Sequence, residues 1–397
     1  MNTPIVLVIN CGSSTLKFAL INLSSGDVVL SGLAEIAQHD PCITFKSDGQ
    51  KSSLPLAGND HASAVEAVLQ RLETLRLLDQ VSAVGHRVVH GGEHFQEATL
   101  VNASVLAAIA ACSKLAPLHN PAQLLGINSA IARFPKLPHV VVFDTAFHQT
   151  MPKRAFLYAL PMALYREHNV RRYGFHGPSH CYVTQKAAEQ LAIPLASGAF
   201  ISAHLGNGAS VCAVLEGKSV DTSMGLTPLE GLVMGTRSGD VDPSIFSYLA
   251  ASMKLDIPTI TDLLNKKSGL LGLSELSSDC RALEDAAQKG HLGAQLALEI
   301  FCYRLAKTIA ALVVPLGRLD ALLFTGGIGE NAFLVRQRVV AQLAFLDLHL
   351  DTAANADKVL GRAGAIHQPG SVPILVINTN EEWMIARETA DLLGASH

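Results

Sequence analysis

The sequence predicts an α/β protein built as two similar lobes. Short apolar strands alternate with helical patterns, which argues for helices covering sheets. The 397 residues exceed one compact core. A unit of apolar strand, glycine turn and second apolar strand also occurs twice, which suggests two lobes facing a cleft.

In chain order the expected strands are Ile5–Ile9, Leu16–Leu20, Val28–Leu33, Val84–Val89, Val140–Phe143, Ala199–His204, Ser210–Leu215, Ala321–Thr325 and Ile374–Ile377. Each is a short apolar run bounded by turn residues. The expected helices are His61–Leu75, Ala103–Leu115, Pro121–Arg133, Tyr182–Leu191, Ser244–Met253, Ala294–Val314 and Glu381–Leu393. Ala294–Val314 is apolar around most of its circumference, so it is expected to lie buried between layers.

The repeat pairs Val8–Leu16 with Ser202–Cys212. A looser pair sets Gly91-Gly92 after Val84–Val89 against Gly326-Gly327 after Ala321–Thr325. Chance similarity between glycine-rich turns is the rival explanation.

Composition narrows the function. Hydrophobic residues make up 49% and charged residues 16%, a globular balance. The net charge of −4 gives no basic excess for nucleic acid, so any anion site must be built locally. No apolar run approaches a membrane span. Met1–Asn10 lacks the basic start of a secretory leader. The seven cysteines are scattered singly with no C-x-x-C, so neither disulfides nor zinc are expected, and a reducing cytoplasm is the expected setting.

Several motifs suggest an anion. Asn10-Cys11-Gly12-Ser13-Ser14-Thr15-Leu16-Lys17 joins a close-approach glycine to three hydroxyl residues and a lysine. An ordinary polar hairpin would look the same. No G-x-x-x-x-G-K-S/T exists: Cys212 stands where Gly217-Lys218-Ser219 would need a glycine. His204–Gly208 and Gly326–Asn331 are further glycine-rich turns after strands, the second leading into a helical pattern from Ala332. Three such turns favour a nucleotide. Arg87 and Arg237 lie among glycines and apolar residues, where a guanidinium needs an anion or a structural salt bridge. His86 and His90 do not form a zinc pair, because strand positions four apart are ~13 Å from each other. Asp144 follows a strand end, a usual place for site residues. Glu381 and Glu382 open the last helix, where acids also complement the dipole.

Together these segments resemble the acetate kinase family, within the acetokinase group of the actin-like ATPase fold. The resemblance runs through Val8–Lys17, Gly85–Gly92, Ala116–Pro121, Phe143–Gln149, Arg172–Gly177, His204–Gly208, Asp221–Asp240, Ser268–Leu273, Thr325–Asn331 and Thr379–Glu382. It implies two duplicated actin-like (ribonuclease H-like) α/β domains. The first would span 1–146, with 381–397 a candidate to return to it. The second would span 147–380 and hold most of the nucleotide site.

The resemblance also implies roles. Asn10 and Glu381 would hold Mg²⁺, with Mn²⁺ as an alternative, and Lys17 would sit near the phosphates. Arg87 would bind a carboxylate, with Val89, Leu118, Phe175 and Pro228 around its methyl group and His119 in support. Asp144, His176 and Arg237 would be catalytic. ATP or ADP would bind at His204, Leu205, Gly206, Asn207 and Gly208, at Asp279, Cys280 and Arg281, and at Gly327, Ile328, Gly329, Glu330 and Asn331. The activity implied is reversible, direct in-line transfer between ATP and acetate in a cytoplasmic homodimer, supporting acetyl-CoA biosynthesis, without nucleic acid or membrane partners. A propionate or butyrate kinase is the alternative in the same fold, and a non-catalytic nucleotide-binding module the alternative from another class. Two positions depart from the family pattern. Thr15 keeps the usual hydroxyl, whereas Pro178 removes a hydroxyl and an N–H beside His176.

Overall fold

A computed structural model describes residues 5–47, 49–117 and 119–394. The chain divides into two compact units, Met1–Phe147 with Asn380–His397, and His148–Thr379.

In the first unit the strands are β1 (Ile5–Cys11), β2 (Thr15–Asn22), β3 (Val28–Glu35), β4 (Cys42–Ser47), β5 (Gln50–Pro55), β6 (Val81–Val88), β7 (Thr99–Leu100) and β8 (His139–Phe143). They form one sheet in the order β5-β4-β3-β2-β1-β6-β8-β7. Tight turns let β1, β2 and β3 pair antiparallel. The parallel pairs β1–β6 and β6–β8 need longer crossovers, supplied by the helices His61–Thr74, Ala103–Ala111 and Asn120–Arg133.

Side-chain alternation gives this sheet two apolar faces. Leu7, Ile9, Leu16, Phe18 and Leu20 pack with Ala64, Val65, Val68 and Leu72 of His61–Thr74. Val6, Val8, Ala19, Ile21 and Val142 pack under Ile385, Ala386 and Ala390 of the helix Glu381–Leu392. That last helix lies on β1, β2, β6 and β8, which is why residues from the chain's end belong to the first unit.

The second unit repeats the plan. Its strands are β9 (Ala199–Leu205), β10 (Ala209–Leu215), β11 (Lys218–Thr222), β12 (Ala321–Thr325), β13 (Gly364–Ala365) and β14 (Ile374–Val376), in the order β11-β10-β9-β12-β14-β13. Again three antiparallel strands are followed by two parallel ones. The two glycine-rich hairpins occupy equivalent places: Cys11 pairs with Leu16 across the first, Leu205 with Ala209 across the second. The looser pair also matches, because β6 and β12 are both the first parallel neighbour of the hairpin strand. Shared strand order removes chance similarity of turns as an explanation and gives the duplicated actin-like α/β architecture.

Two sequence expectations are corrected. The long apolar helix, Leu292–Val313, is not sandwiched between layers. Ala294, Ala297, Leu298, Phe301, Leu305 and Ile309 are buried at the i, i+3, i+4 spacing, whereas Leu292 is 78% and Tyr303 56% exposed. Gly326 and Gly327 are not a turn ahead of a helix. They form the first turn of the helix Gly326–Asn331, and a second helix, Phe333–Ala341, follows.

Candidate active site

The first unit gathers polar residues at one end of a single sheet face. Asn10 on β1 lies directly opposite Lys17 on β2, two residues beyond Val8 and two before Ala19. The period of two therefore puts both on the face covered by Glu381–Leu392. Arg87 joins them from β6. Gly85, two residues earlier, meets that same helix so closely that an added Cβ would lie 3.0 Å from Ile385. Asp144 continues the Val142 face one step past the end of β8. Glu381 is the first residue of the covering helix, whose Asn380 cap accepts from the Trp383 N–H.

Arg87 and Asp144 form a fork-to-fork ion pair: Nε donates to Oδ1 at 2.8 Å and Nη2 to Oδ2 at 2.7 Å. The side chains are 18% and 2% exposed. Burial opposes the Arg87 charge, but Asp144 and Glu381 outweigh it and hold its pKa above the ordinary value. Burial raises the pKa of Glu381, with Arg87 and Lys17 opposing and Asp144 reinforcing. Arg87 thus meets a structural partner, and Nη1 is its edge without a hydrogen bond among the described residues.

The segment after β6 is held from three sides. Val89 N–H donates to Gln123 Oε1 at 3.0 Å, His90 N–H to Asn120 Oδ1 at 3.2 Å, and Gly91 N–H to Thr145 Oγ1 at 3.1 Å. Gly91 has to be glycine, because an added Cβ would sit 2.7 Å from Phe143. His119 precedes the helix Asn120–Arg133, and its N–H donates to Ala116 O. Leu118 lies outside the described residues. His86 is structural: its Nε2 is 2.9 Å from His139 Nδ1, and both rings are buried.

In the second unit Arg237 has no carboxylate partner among the described residues. Its Nη1 donates to Pro228 O at 3.1 Å, with Met234 Sδ at 3.8 Å, and burial lowers its pKa. A cation so placed invites an anion. The Met234–Ser238 loop is tied down: Gly235 N–H donates to Asn207 O, Ser238 N–H to Leu264 O and Ser268 N–H to Thr236 O. His176 points to the same spot. A Cβ added at Gly208 would lie 3.4 Å from Arg237 Nη1 and 3.6 Å from His176 Nε2. His176 is in the left-handed region, φ 59°, as the N-cap of Gly177–Leu191. Pro178 falls in that helix's first turn, where an N–H has no helical partner to lose. Its departure from the family pattern therefore leaves the helix intact.

Beside this spot a cleft of about 790 Å³ is lined by Gly206, Asn207, Asp279, Cys280, Arg281, Gly327, Ile328 and Asn331. That volume suits a nucleotide. His204, Leu205, Gly208, Gly329 and Glu330 are not among its walls. Glu330 instead clamps the backbone, with Oε1 accepting from the N–H groups of Gly326 and Thr379, each at 3.0 Å. Arg336 Nη1 donates to Gly329 O at 2.8 Å.

The sequence profile of the acetokinase family matches residues 5–387. The chain belongs to the acetokinase family. It is 58% identical over 398 residues to the acetate kinase of Chromobacterium violaceum, with all of both chains covered. Among solved structures it is similar to a propionate kinase from Francisella tularensis, at 47% identity and TM-score 0.94, covering 98% of this chain and 99% of that one. It is likewise similar to the acetate kinase of Porphyromonas gingivalis, at 41% identity and TM-score 0.93, covering 98% and 100%.

Sequence reasoning missed several residues around this acetokinase site. Ser278, Phe333, Val359 and Leu360 also line the cleft. The last two lie far along the chain from the glycine turns, with no local signal. Arg172 carries no signal in the sequence beyond its place in the Arg172–Gly177 motif. It braces the Asp221–Glu230 stretch, with Nη1 donating to Thr222 O and Ser223 O and Nη2 to Glu230 Oε1 at 2.6 Å. Tyr158 donates to the same glutamate.

Proposed function

We propose that this chain is an acetate kinase that moves the γ-phosphoryl group of ATP onto acetate, giving acetyl phosphate and ADP. The observation that carries the reading is Arg237, a half-buried guanidinium without an acidic partner among the described residues, which converges with His176 on the glycine hairpin.

An ionised carboxylate is already a nucleophile, so the protein's task is positioning and charge neutralisation. Arg87, fixed by Asp144, offers Nη1 to the acid's carboxylate. Val89, Leu118, Phe175 and Pro228 limit the acid's alkyl group, and His119 supports the arginine side. ATP lies in the 790 Å³ cleft with its phosphates toward Asn207 and Gly208, and Lys17 is assigned to neutralising phosphate charge. A carboxylate oxygen forms a bond to the γ-phosphorus as the bond to the bridging oxygen of ADP breaks in line. Arg237 and His176 donate to the equatorial oxygens as charge spreads over them. Asn10 and Glu381 are oxygen donors of the kind Mg²⁺ prefers, and a cation there favours the ionised form of a glutamate whose burial otherwise disfavours it. When bound, Mg²⁺ would neutralise charge on the phosphates.

The same reading makes the chain a cytoplasmic homodimer whose product serves acetyl-CoA formation; the exposed Leu292, Leu296 and Tyr303 support pairing of copies. A propionate kinase is the second reading, favoured by the Francisella neighbour. ATP-dependent acyl phosphate formation across C2 to C4 acids tests both. Acetate should give the highest kcat/KM, and Arg87→Ala should raise KM for acetate far more than for ATP. Higher kcat/KM for propionate would favour the second reading, and no turnover with any acid would end both.

A further inference from the structure

A line of buried polar side chains runs behind His176. Ser202 Oγ on β9 is 2.9 Å from His180 Nδ1. His180 Nε2 is 2.8 Å from Ser210 Oγ on β10. Ser210 Oγ is in turn 2.8 Å from His176 Nδ1. Ser202, His180 and Ser210 are each 0% exposed.

The direction of the protons follows from counting them. Burial, reinforced by His148 and His204, lowers the His180 pKa well below the ordinary value. The neutral ring therefore has one N–H and one lone pair. Ser202 has a single side-chain partner among the described residues, His180 Nδ1. A buried hydroxyl that leaves its proton unused forfeits a hydrogen bond that water would otherwise have supplied. Ser202 therefore donates to Nδ1, His180 donates from Nε2 to Ser210, and Ser210 donates to His176 Nδ1. Reversing every bond would strand the Ser202 proton with no acceptor among the described residues.

We infer that Ser202, His180 and Ser210 form a one-way hydrogen-bond relay that occupies His176 Nδ1 and keeps the His176 proton on Nε2, the nitrogen facing Gly208 and Arg237. The tautomer of a histidine is set by the bond its other nitrogen makes. His176 is thereby a neutral donor aimed where Arg237 already points, and its left-handed backbone is held from inside the unit. His180 and Ser210 are positioning residues. The functional consequence rests on His176 contacting the phosphoryl group; the relay itself concerns only where protons sit.

Nitrogen NMR of the full-length protein with ¹⁵N-labelled histidine tests it, with the His176 signals assigned by their loss in His176→Gln. Wild-type protein at neutral pH should show an unprotonated Nδ1 and a protonated Nε2 at His176. The opposite tautomer overturns the relay without any reliance on a variant's folding. Ser210→Ala should lower kcat about tenfold or more, the scale on which partners orienting a functional histidine act. KM for ATP and for the acid should stay within about twofold, and the single tautomer should become a mixture. Ser210→Thr, which keeps the hydroxyl, should restore both readouts. Unchanged kcat and tautomer in Ser210→Ala would also overturn the relay. If His176→Gln kept wild-type kcat, the phosphoryl role of His176 would fail, and the wild-type spectrum would still judge the relay.

Discussion

Arg87 and Arg237 look alike along the chain, each set among glycines and apolar residues, yet they differ in their partners. Arg87 is locked by both oxygens of Asp144. Arg237 rests on a carbonyl and a thioether. The sequence left a salt bridge or an anion open for both, because Asp144 is 57 positions from Arg87 and only the parallel pairing of β6 with β8 brings them together. The contrast predicts different losses. Arg237→Ala should lower kcat by about 10²–10³ and leave KM nearly unchanged, as expected for a preorganised donor used in the transition state. Arg237→Lys should recover little, since a point charge lacks the planar fork. Steady-state kinetics with ATP binding by calorimetry decides: wild-type kcat with lost ATP affinity would place Arg237 on the nucleotide instead.

Elements were legible where one face is apolar and obscure where it is not. Ala321–Thr325 coincides with β12, and His61–Leu75 and Glu381–Leu393 each overrun their helices by one residue. β5 went unseen because all six of its residues are exposed and carry no alternation. The helix Cys280–Gln288 is an exception: Cys280, Leu283 and Ala287 give it one buried face, but three apolar positions in nine residues are too short a pattern to stand out in the sequence.

Close packing between elements gives a prediction of its own. Gly126 of Asn120–Arg133 lies against β1, where an added Cβ would be 2.1 Å from Cys11 Sγ. Gly126→Ala should destabilise by about 1–3 kcal/mol through overpacking, although alanine is the better helix former. Adding Cys11→Ala should recover most of that loss. Denaturant melts of both variants measure it, and a stable single variant would remove the contact.

The C-terminal helix carries a second prediction. Burial raises the Glu388 pKa from 4.5 to about 7, with Arg387 opposing and Asp391 reinforcing. A raised acid pKa means that the folded chain holds a proton the unfolded chain has released between those values. Its contribution is therefore present below about pH 4.5 and is lost as pH climbs toward about 7. Glu388→Gln should stabilise by about 1–3 kcal/mol at pH 8 and much less at pH 5. Equal melting shifts at the two pH values would contradict it.

At the scale of the whole molecule the chain closes its first unit with its last helix. Without that helix Val6, Val8, Ala19, Ile21 and Val142 would face water. Each fully buried side chain of this size is worth about 1.5–3 kcal/mol. A chain ending at residue 380 should therefore lose hydrogen-exchange protection in β1 and β6, whereas protection as in the full chain would show that the helix is dispensable to that core.

The sequence by itself determined the α/β class, the two glycine hairpins and their common plan, and it singled out Asn10, Lys17, Arg87, Asp144 and Glu381, which the first unit brings to one end of its sheet. Those features are written in local periodicity and in motifs a few residues long, which need no distant partner to be recognised. Tertiary structure decided the rest: which arginine is already paired, which glycine-loop residues line the cleft and which clamp the backbone, and that His176 is backed by two serines and a second histidine. Each of these depends on elements brought side by side in space, such as β8 beside β6 and the helix Gly177–Leu191 against β9, and no local pattern encodes which side chains that packing will bring face to face.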